Sequence, residues 1–361
     1  MTTAPPQAVR SVEPTISSTP TDSKPSLAFV ILVPLLFAIG GILGSLLLVE
    51  VVFRIFISGS TAPKWRDRPA SYFISEKSET FQDYAHSVIK APNTYRIAVI
   101  GDSFTFAPYM QFDDAFPKRL ERWLNLNEGQ KKVEVINYGV PAYSTNHEVR
   151  VVERAIKEQA DLILMQITLN DPEIKPYTPQ ELFREKNKFG DLEIENPILK
   201  HWKSAAFLLK RLHNRQTRKS YQQKFFDLFN KEATWNNFST SWTKISVTVK
   251  DAKVPLVATI FPLFGMPVDS SYPFWPIDEK VGNLLNSLEV PYLDITSIYA
   301  DIPVERLQVL PGEDFHPNEI AHRMAAEAIL NWLESNKLIP MELFPKAHSI
   351  ERVGIKKPAR S

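Results

Sequence analysis

From residue 95 onward the chain alternates short apolar runs with stretches whose apolar residues return every three or four positions, and no other feature restricts its fold as tightly. The runs at 95–100, 132–138, 161–168, 254–261 and 290–295 read as strands. Between and after them, 115–126, 147–159 and 319–333 read as helices. Phe116, Leu120, Trp123 and Leu124 share one face of the first of these, and Ile320, Met324, Ile329 and Leu333 lie at helical spacing in the last. Strands that alternate with helices predict an α/β fold, a parallel five-stranded sheet with helices on both faces. Ligands of such sheets gather at the carboxyl ends of the strands. Residues 172–234 interrupt the rhythm and read as an insertion within a domain spanning 95–338.

Ahead of that domain, residues 26–49 form an uncharged apolar stretch of 24 residues. At about 1.5 Å per residue it covers a hydrocarbon core of about 30 Å, so 26–57 is expected to be a transmembrane helix and the chain's contact with a membrane. Pro34 and the Gly40-Gly41 pair are tolerated in lipid. A cleaved secretory signal is the alternative, although such signals carry only about 7 to 15 apolar residues before a small-residue cleavage site. Arg10 and Lys24 precede the span while Arg54, Lys64, Arg66 and Arg68 follow it, which by the positive-inside rule favours a cytoplasmic domain. The margin is small and long domains translocate with little regard to charge, so an extracytoplasmic domain stays open and is the expectation. Residues 1–25, rich in Pro, Ser and Thr, are expected to be disordered. Residues 58–94 form a juxtamembrane segment and 339–361 a basic tail.

The formal net charge of +1 supplies no general attraction to polyanions, and nucleic acid is not an expected partner. The absence of cysteine excludes disulfides, thiolate metal sites and cysteine nucleophiles. No His-Glu-x-x-His, EF-hand loop, Gly-x-Gly-x-x-Gly or P-loop lysine is present, so neither a metal nor any other cofactor is expected. Eight Lys or Arg and no acid lie between Lys200 and Lys224, interleaved with Trp202, Phe207, Leu208, Leu209, Leu212 and Tyr221. Such a helix can present a solvated face, lie on an anionic lipid surface or cap a site for an acidic substrate.

The chemistry begins at Gly101-Asp102-Ser103, where the first strand ends. A serine hydroxyl needs a base to take its proton, and a neutral imidazole suits that work. Of the seven histidines, only His316 is placed by its sequence in a loop, within Asp314-Phe315-His316-Pro317-Asn318 just before the closing helix. An acid close before it can fix the tautomer, as in a Ser-His-Asp triad. Oxyanion donors are available past three strand ends: the backbone N–H groups of Ser103 and Gly139 and the side-chain amide of Asn170.

These blocks resemble those of the SGNH (GDSL-type) hydrolases. GDSFTF at 101–106, NYGVPAYST at 137–145, LNDPE at 169–173 and DFHPN at 314–318 match the family's serine, glycine, asparagine and histidine blocks, within a resemblance covering roughly 95–335. It implies a flavodoxin-like three-layer α/β/α sandwich. It also implies Ser103 as nucleophile, His316 as base and acid, and an oxyanion hole of Ser103, Gly139 and Asn170. The chain departs from the pattern at Ala107 and Ala142, where glycine is usual, and at Thr168, where the asparagine block often has glycine. The triad acid is either Glu313 or Asp314, of which Asp314, in the Asp-x-His spacing of polysaccharide O-acetyltransferase relatives, is preferred.

Three functions fit. The first is a membrane-anchored serine esterase acting on an acylated carbohydrate or lipid through an acyl-serine intermediate. The second is an O-acetyltransferase that modifies a cell-surface polysaccharide with the same residues. The third is an inactive module that binds glycan or lipid.

Overall fold

The structure is a computed structural model describing residues 26–56, 81–126, 131–174, 196–311 and 314–344. The segment 1–25, most of the juxtamembrane stretch, residues 175–195 of the expected insertion, Glu313 and the tail from 345 lie outside the described residues. The chain divides into two compact units, residues 1–59 with 201–204, and the remainder.

In the first unit, helix α1 (Leu27–Phe56) has a mean hydropathy of 2.6 over its most apolar window and is long and apolar enough to cross a membrane. A signal sequence meets the same criteria. The helix runs on through Glu50 and Arg54, which pair at 2.7 Å, and the Glu50 carboxylate accepts the backbone N–H groups of Lys203 and Ser204.

The second unit is built on a parallel sheet of β1 (Thr94–Gly101), β2 (Lys132–Gly139), β3 (Leu162–Ile167), β4 (Leu256–Ile260) and β5 (Tyr292–Asp294), in the order β2-β1-β3-β4-β5. That order is the flavodoxin-like one. Every residue of β3 and β4 is buried, so both faces of the sheet must be covered. Right-handed crossovers assign the helices to faces. Helix α3 (Phe116–Leu124), which leads from β1 to β2, packs on the closing helix α9 (Glu319–Ser335) on one face; α4 (Thr145–Lys157) and α7 (Glu232–Ala252) pack together on the other. These layers are the expected α/β/α sandwich.

Three elements differ from expectation. The β3-to-β4 crossover is α7, anchored by Phe238, Trp242 and Ile245, after the short helix α5 (Pro197–His201) and the long helix α6 (Lys203–Asn230). Phe225 and Phe229 of α6 are also buried in the core, so the 172–234 stretch is partly core. Helix α8 (Trp275–Ser287) fills the β4-to-β5 connection, where Pro276 opens a pattern too broken to be picked out by periodicity. The domain reaches beyond 95–338 at both ends. Asp83 accepts the N–H of Asn137, His86 meets Glu158 at 2.7 Å, and Leu343 and Phe344 are buried.

Candidate active site

Strand β1 delivers Ser103 directly into the short helix α2 (Ser103–Phe106). Asp102 caps that helix, its Oδ1 accepting the N–H of Phe104 at 2.9 Å. Space at this turn is scarce. A Cβ on Gly101 would lie 2.4 Å from both Gln166 Oε1 and Thr105 Oγ1, and one on Gly139 would lie 2.3 Å from the N of Phe106. The two glycines sit opposite each other in the β1–β2 ladder, which brings the strand ends close enough for β2 to buttress the helix behind the serine. Ala107 ends the helix with φ 63, a left-handed conformation, and Ala142 has φ 64. The two positions where glycine is usual thus hold the backbone that glycine favours, with alanine in place.

The histidine block is a strand rather than a loop. β7 (Asp314–Pro317) pairs antiparallel with β6 (Gln308–Leu310), and Asn318 locks the pair to α9. Its Oδ1 accepts the N–H groups of Ile320 and Ala321, while its Nδ2 donates to the carbonyls of Arg306 and Gln308. His316 lies across Phe104, ring centroids 5.7 Å apart. Its Nε2 is 2.9 Å from Ser103 Oγ, and its Nδ1 is 2.5 Å from Asp314 Oδ1. Burial pulls the imidazole toward its neutral form. The hydrogen bond and charge of Asp314, with the charge of Asp102, prevail and leave its pKa above the ordinary histidine value.

The expected oxyanion donors differ in availability. The N–H of Ser103 has no protein acceptor among the described residues. Asn170 follows β3, its amide oxygen against Thr168 Oγ1 and its amide nitrogen donating to Asp102. The N–H of Gly139 is already donated to Asn137 Oδ1 at 2.9 Å. Three residues on, in the same turn, the N–H of Ala142 has no acceptor among the described residues.

The sequence reading missed several supporting residues. Asn137 donates to the carbonyl of Thr105 at 2.8 Å, and Gln166 accepts from Thr105 Oγ1 at 2.8 Å. Both are polar residues inside otherwise apolar strands, and that was their only signal. Burial raises the Asp102 carboxyl pKa, against the hydrogen bonds from Phe104, Thr168 and Asn170 that lower it. His322 is the buried counter-example to His316. It accepts the N–H of Phe116, and burial depresses its pKa to about 3, leaving it neutral. Among the described residues no group of three or more His, Asp or Glu could hold a metal ion.

No family model matches the sequence, and no curated protein matches it. Solved structures with a similar fold include the acetylxylan esterase Axe2 from Geobacillus stearothermophilus, at 12% identity over 70% of this chain and 97% of that one, with a TM-score of 0.42. An acetyl xylan esterase, AlAXEase, matches at 11% identity over 66% of this chain and 99% of that one, TM-score 0.43. A lipase/acylhydrolase from Enterococcus faecalis matches at 13% identity over 67% of this chain and 96% of that one, TM-score 0.41. Likeness at such identities and TM-scores leaves the function to be argued from the site itself.

Proposed function

We propose that the protein is a membrane-anchored serine esterase of the SGNH (GDSL) type, acting on an acylated carbohydrate or lipid. The observation that carries this reading is the pair of contacts on one imidazole, to Ser103 Oγ at 2.9 Å and to Asp314 at 2.5 Å. His316 Nε2 takes the hydroxyl proton as Ser103 attacks the acyl carbon, and Asp314 stabilises the imidazolium. The negative charge moves to the former carbonyl oxygen, where the N–H of Ser103 and the amide of Asn170 meet it. The N–H of Gly139, expected as the third donor, is engaged by Asn137, and the missing side chain at Gly139 lets β2 approach the serine helix. The proton on His316 passes to the leaving alcohol. A water deprotonated by the same imidazole then releases the acyl group from Ser103.

The apolar helix α1 anchors the domain, extracytoplasmically in this reading. It also favours a second reading in which the acyl-serine is discharged to a polysaccharide hydroxyl instead of water. An inactive binding module fits poorly with a hydroxyl and imidazole in hydrogen-bond contact.

Full-length protein in detergent tests the proposal with a short-chain aryl ester and a fluorophosphonate probe. The wild type should turn over the ester and be labelled, and Ser103→Ala should lose both, turnover by at least about 10³-fold. Equal turnover by the two proteins, or a folded wild type that resists labelling, rules the esterase out. Adding acetylated donor and oligosaccharide acceptors separates transfer from hydrolysis.

A further inference from the structure

In the turn after β3, a threonine hydroxyl that the mechanism leaves unused sits among three side-chain oxygen acceptors. Thr168 is buried, and its Oγ1 lies 2.8 Å from Asp102 Oδ2, 3.4 Å from Asp171 Oδ1, and against Asn170 Oδ1. The turn itself cannot shift easily. The N–H of Asp171 donates to the carbonyl of Thr168, the carbonyl of Asp171 accepts the N–H of Thr145, and Asp171 Oδ2 accepts from Thr145 Oγ1 at the start of α4. The freedom left to Asn170 is in its side chain, above all in which end of the amide faces which neighbour.

The surrounding chemistry fixes that choice. Asn170 donates to Asp102 and so faces it with the NH2 group, and its carbonyl end faces Thr168, whose single hydroxyl proton is shared between Asn170 Oδ1 and Asp102 Oδ2. One of the two amide N–H bonds is thereby spent on Asp102.

We propose that Thr168 is a positioning residue for the esterase reaction: its hydroxyl holds the carbonyl end of Asn170, so that the second amide N–H is already aimed at the oxyanion before substrate arrives. The proposal rests on the serine esterase reading and deepens it. Thr168 touches neither substrate nor the reacting atoms. Without its hydroxyl, Asn170 keeps only the Asp102 contact, and the amide can rotate about it.

The test uses full-length protein in detergent with Thr168→Val, which keeps the branched shape and loses the donor, and Thr168→Ser, which restores it. Thr168→Val should lower kcat by about 10- to 100-fold with KM close to wild type, because a misaimed donor is missed chiefly in the transition state, and should lower Tm as well because the buried Asp102 Oδ2 loses its donor. Thr168→Ser should return to within about 3-fold of wild type. In an Asn170→Ala background, Thr168→Val should cost nothing further, since its effect passes through the amide. Unchanged kcat in Thr168→Val, or a full additional loss in the double variant, overturns the proposal. Hydrogen exchange of the Asn170 side-chain amide, read by NMR with selective asparagine labelling, needs no turnover. It should speed up by at least about 10-fold in Thr168→Val, as the loss of the bond that holds the amide predicts. Unchanged exchange overturns the positioning role even if the wild type proves inactive, whereas an inactive wild type with faster exchange in the variant removes only the esterase reading.

Discussion

Ser103 stands at the end of an interior strand with Asp102, Asn137, Gln166 and Thr168 all buried around it, whereas His316 and Asp314 ride on a short two-stranded ladder with 30% and 23% of their side-chain surfaces exposed. The serine side is thus continuous with the hydrophobic core. The histidine side is tied to it mainly through Asn318 and the start of α9. Buried polar partners cost stability when one of them is removed, because the other is left without its hydrogen bond. Partners open to water lose much less. A change behind the serine should therefore appear in both stability and turnover, and a change beside the histidine in turnover alone.

The sharpest attempt to break that contrast pairs Asp314→Asn with Asn137→Ala. Asp314→Asn should lower kcat/KM by about 10²- to 10⁴-fold while moving Tm little. Because Asp314 is what raises the His316 pKa, the rise of activity with pH should also begin at a lower pH in the variant. Asn137→Ala strands the carbonyl of Thr105 and the N–H of Gly139, so a loss of about 1–3 kcal/mol is expected, along with reduced turnover. Thermal melts and pH–rate profiles of the two variants decide the matter. A Tm unchanged in Asn137→Ala, or falling equally in both, would show that the two sides are held alike.

The sequence made the layers and the Ser, His and Asn positions legible because each follows from local pattern: an apolar run, a helical period, or a polar residue just past a strand end. It was less informative where a role depends on distant partners. Gly139 looked like an oxyanion donor because a glycine N–H is unobstructed, but in the structure Asn137 takes that N–H and the missing side chain makes room for Phe106. The histidine block looked like a loop because Pro317 and the acids break any period, while its pairing partner, 308–310, is three residues long and too short to register as a strand. Thr168 looked like a deviation, and only the fold brings Asp102 and Asn170 to its hydroxyl.

A smaller effect separates the pH dependence of the site from that of the core. Asp278 is buried in the first turn of α8 with neither carboxylate oxygen hydrogen-bonded among the described residues, and burial together with the charge of Asp294 pushes its pKa up to about 8. The group is neutral in the fold and ionised in the unfolded chain above the ordinary aspartate value. Its contribution is therefore fully present below about pH 4 and lost as pH rises through about 8. Glu148 and Asp171, buried and mutually repelling, shift in the same direction and add to the same loss. Wild-type Tm should fall between pH 5 and pH 8, and Asp278→Asn should flatten part of that fall. The pH profile of activity should not follow, since Asp278 is not among the groups whose charge acts on His316. A matching shift in both profiles would tie the site to the core more closely than the contrast allows.

The smallest effects concern the two left-handed alanines, which belong to the two kinds of surroundings in miniature. Relief of a left-handed alanine is worth about 1–2 kcal/mol, and the added freedom of glycine in the unfolded chain takes back about 0.4–1 kcal/mol. Ala142 is half-buried, so little else changes, and Ala142→Gly should raise stability by up to about 1 kcal/mol, or about 2–4 °C in Tm. Ala107 is fully buried at the end of the serine helix, and its methyl contributes about 0.8 kcal/mol of burial that glycine lacks. Ala107→Gly should therefore be close to neutral, and differential scanning calorimetry should rank it below Ala142→Gly. The reverse order would mean that strain in the serine helix exceeds what its packing returns, and that the buried side of the site is under tension rather than at rest.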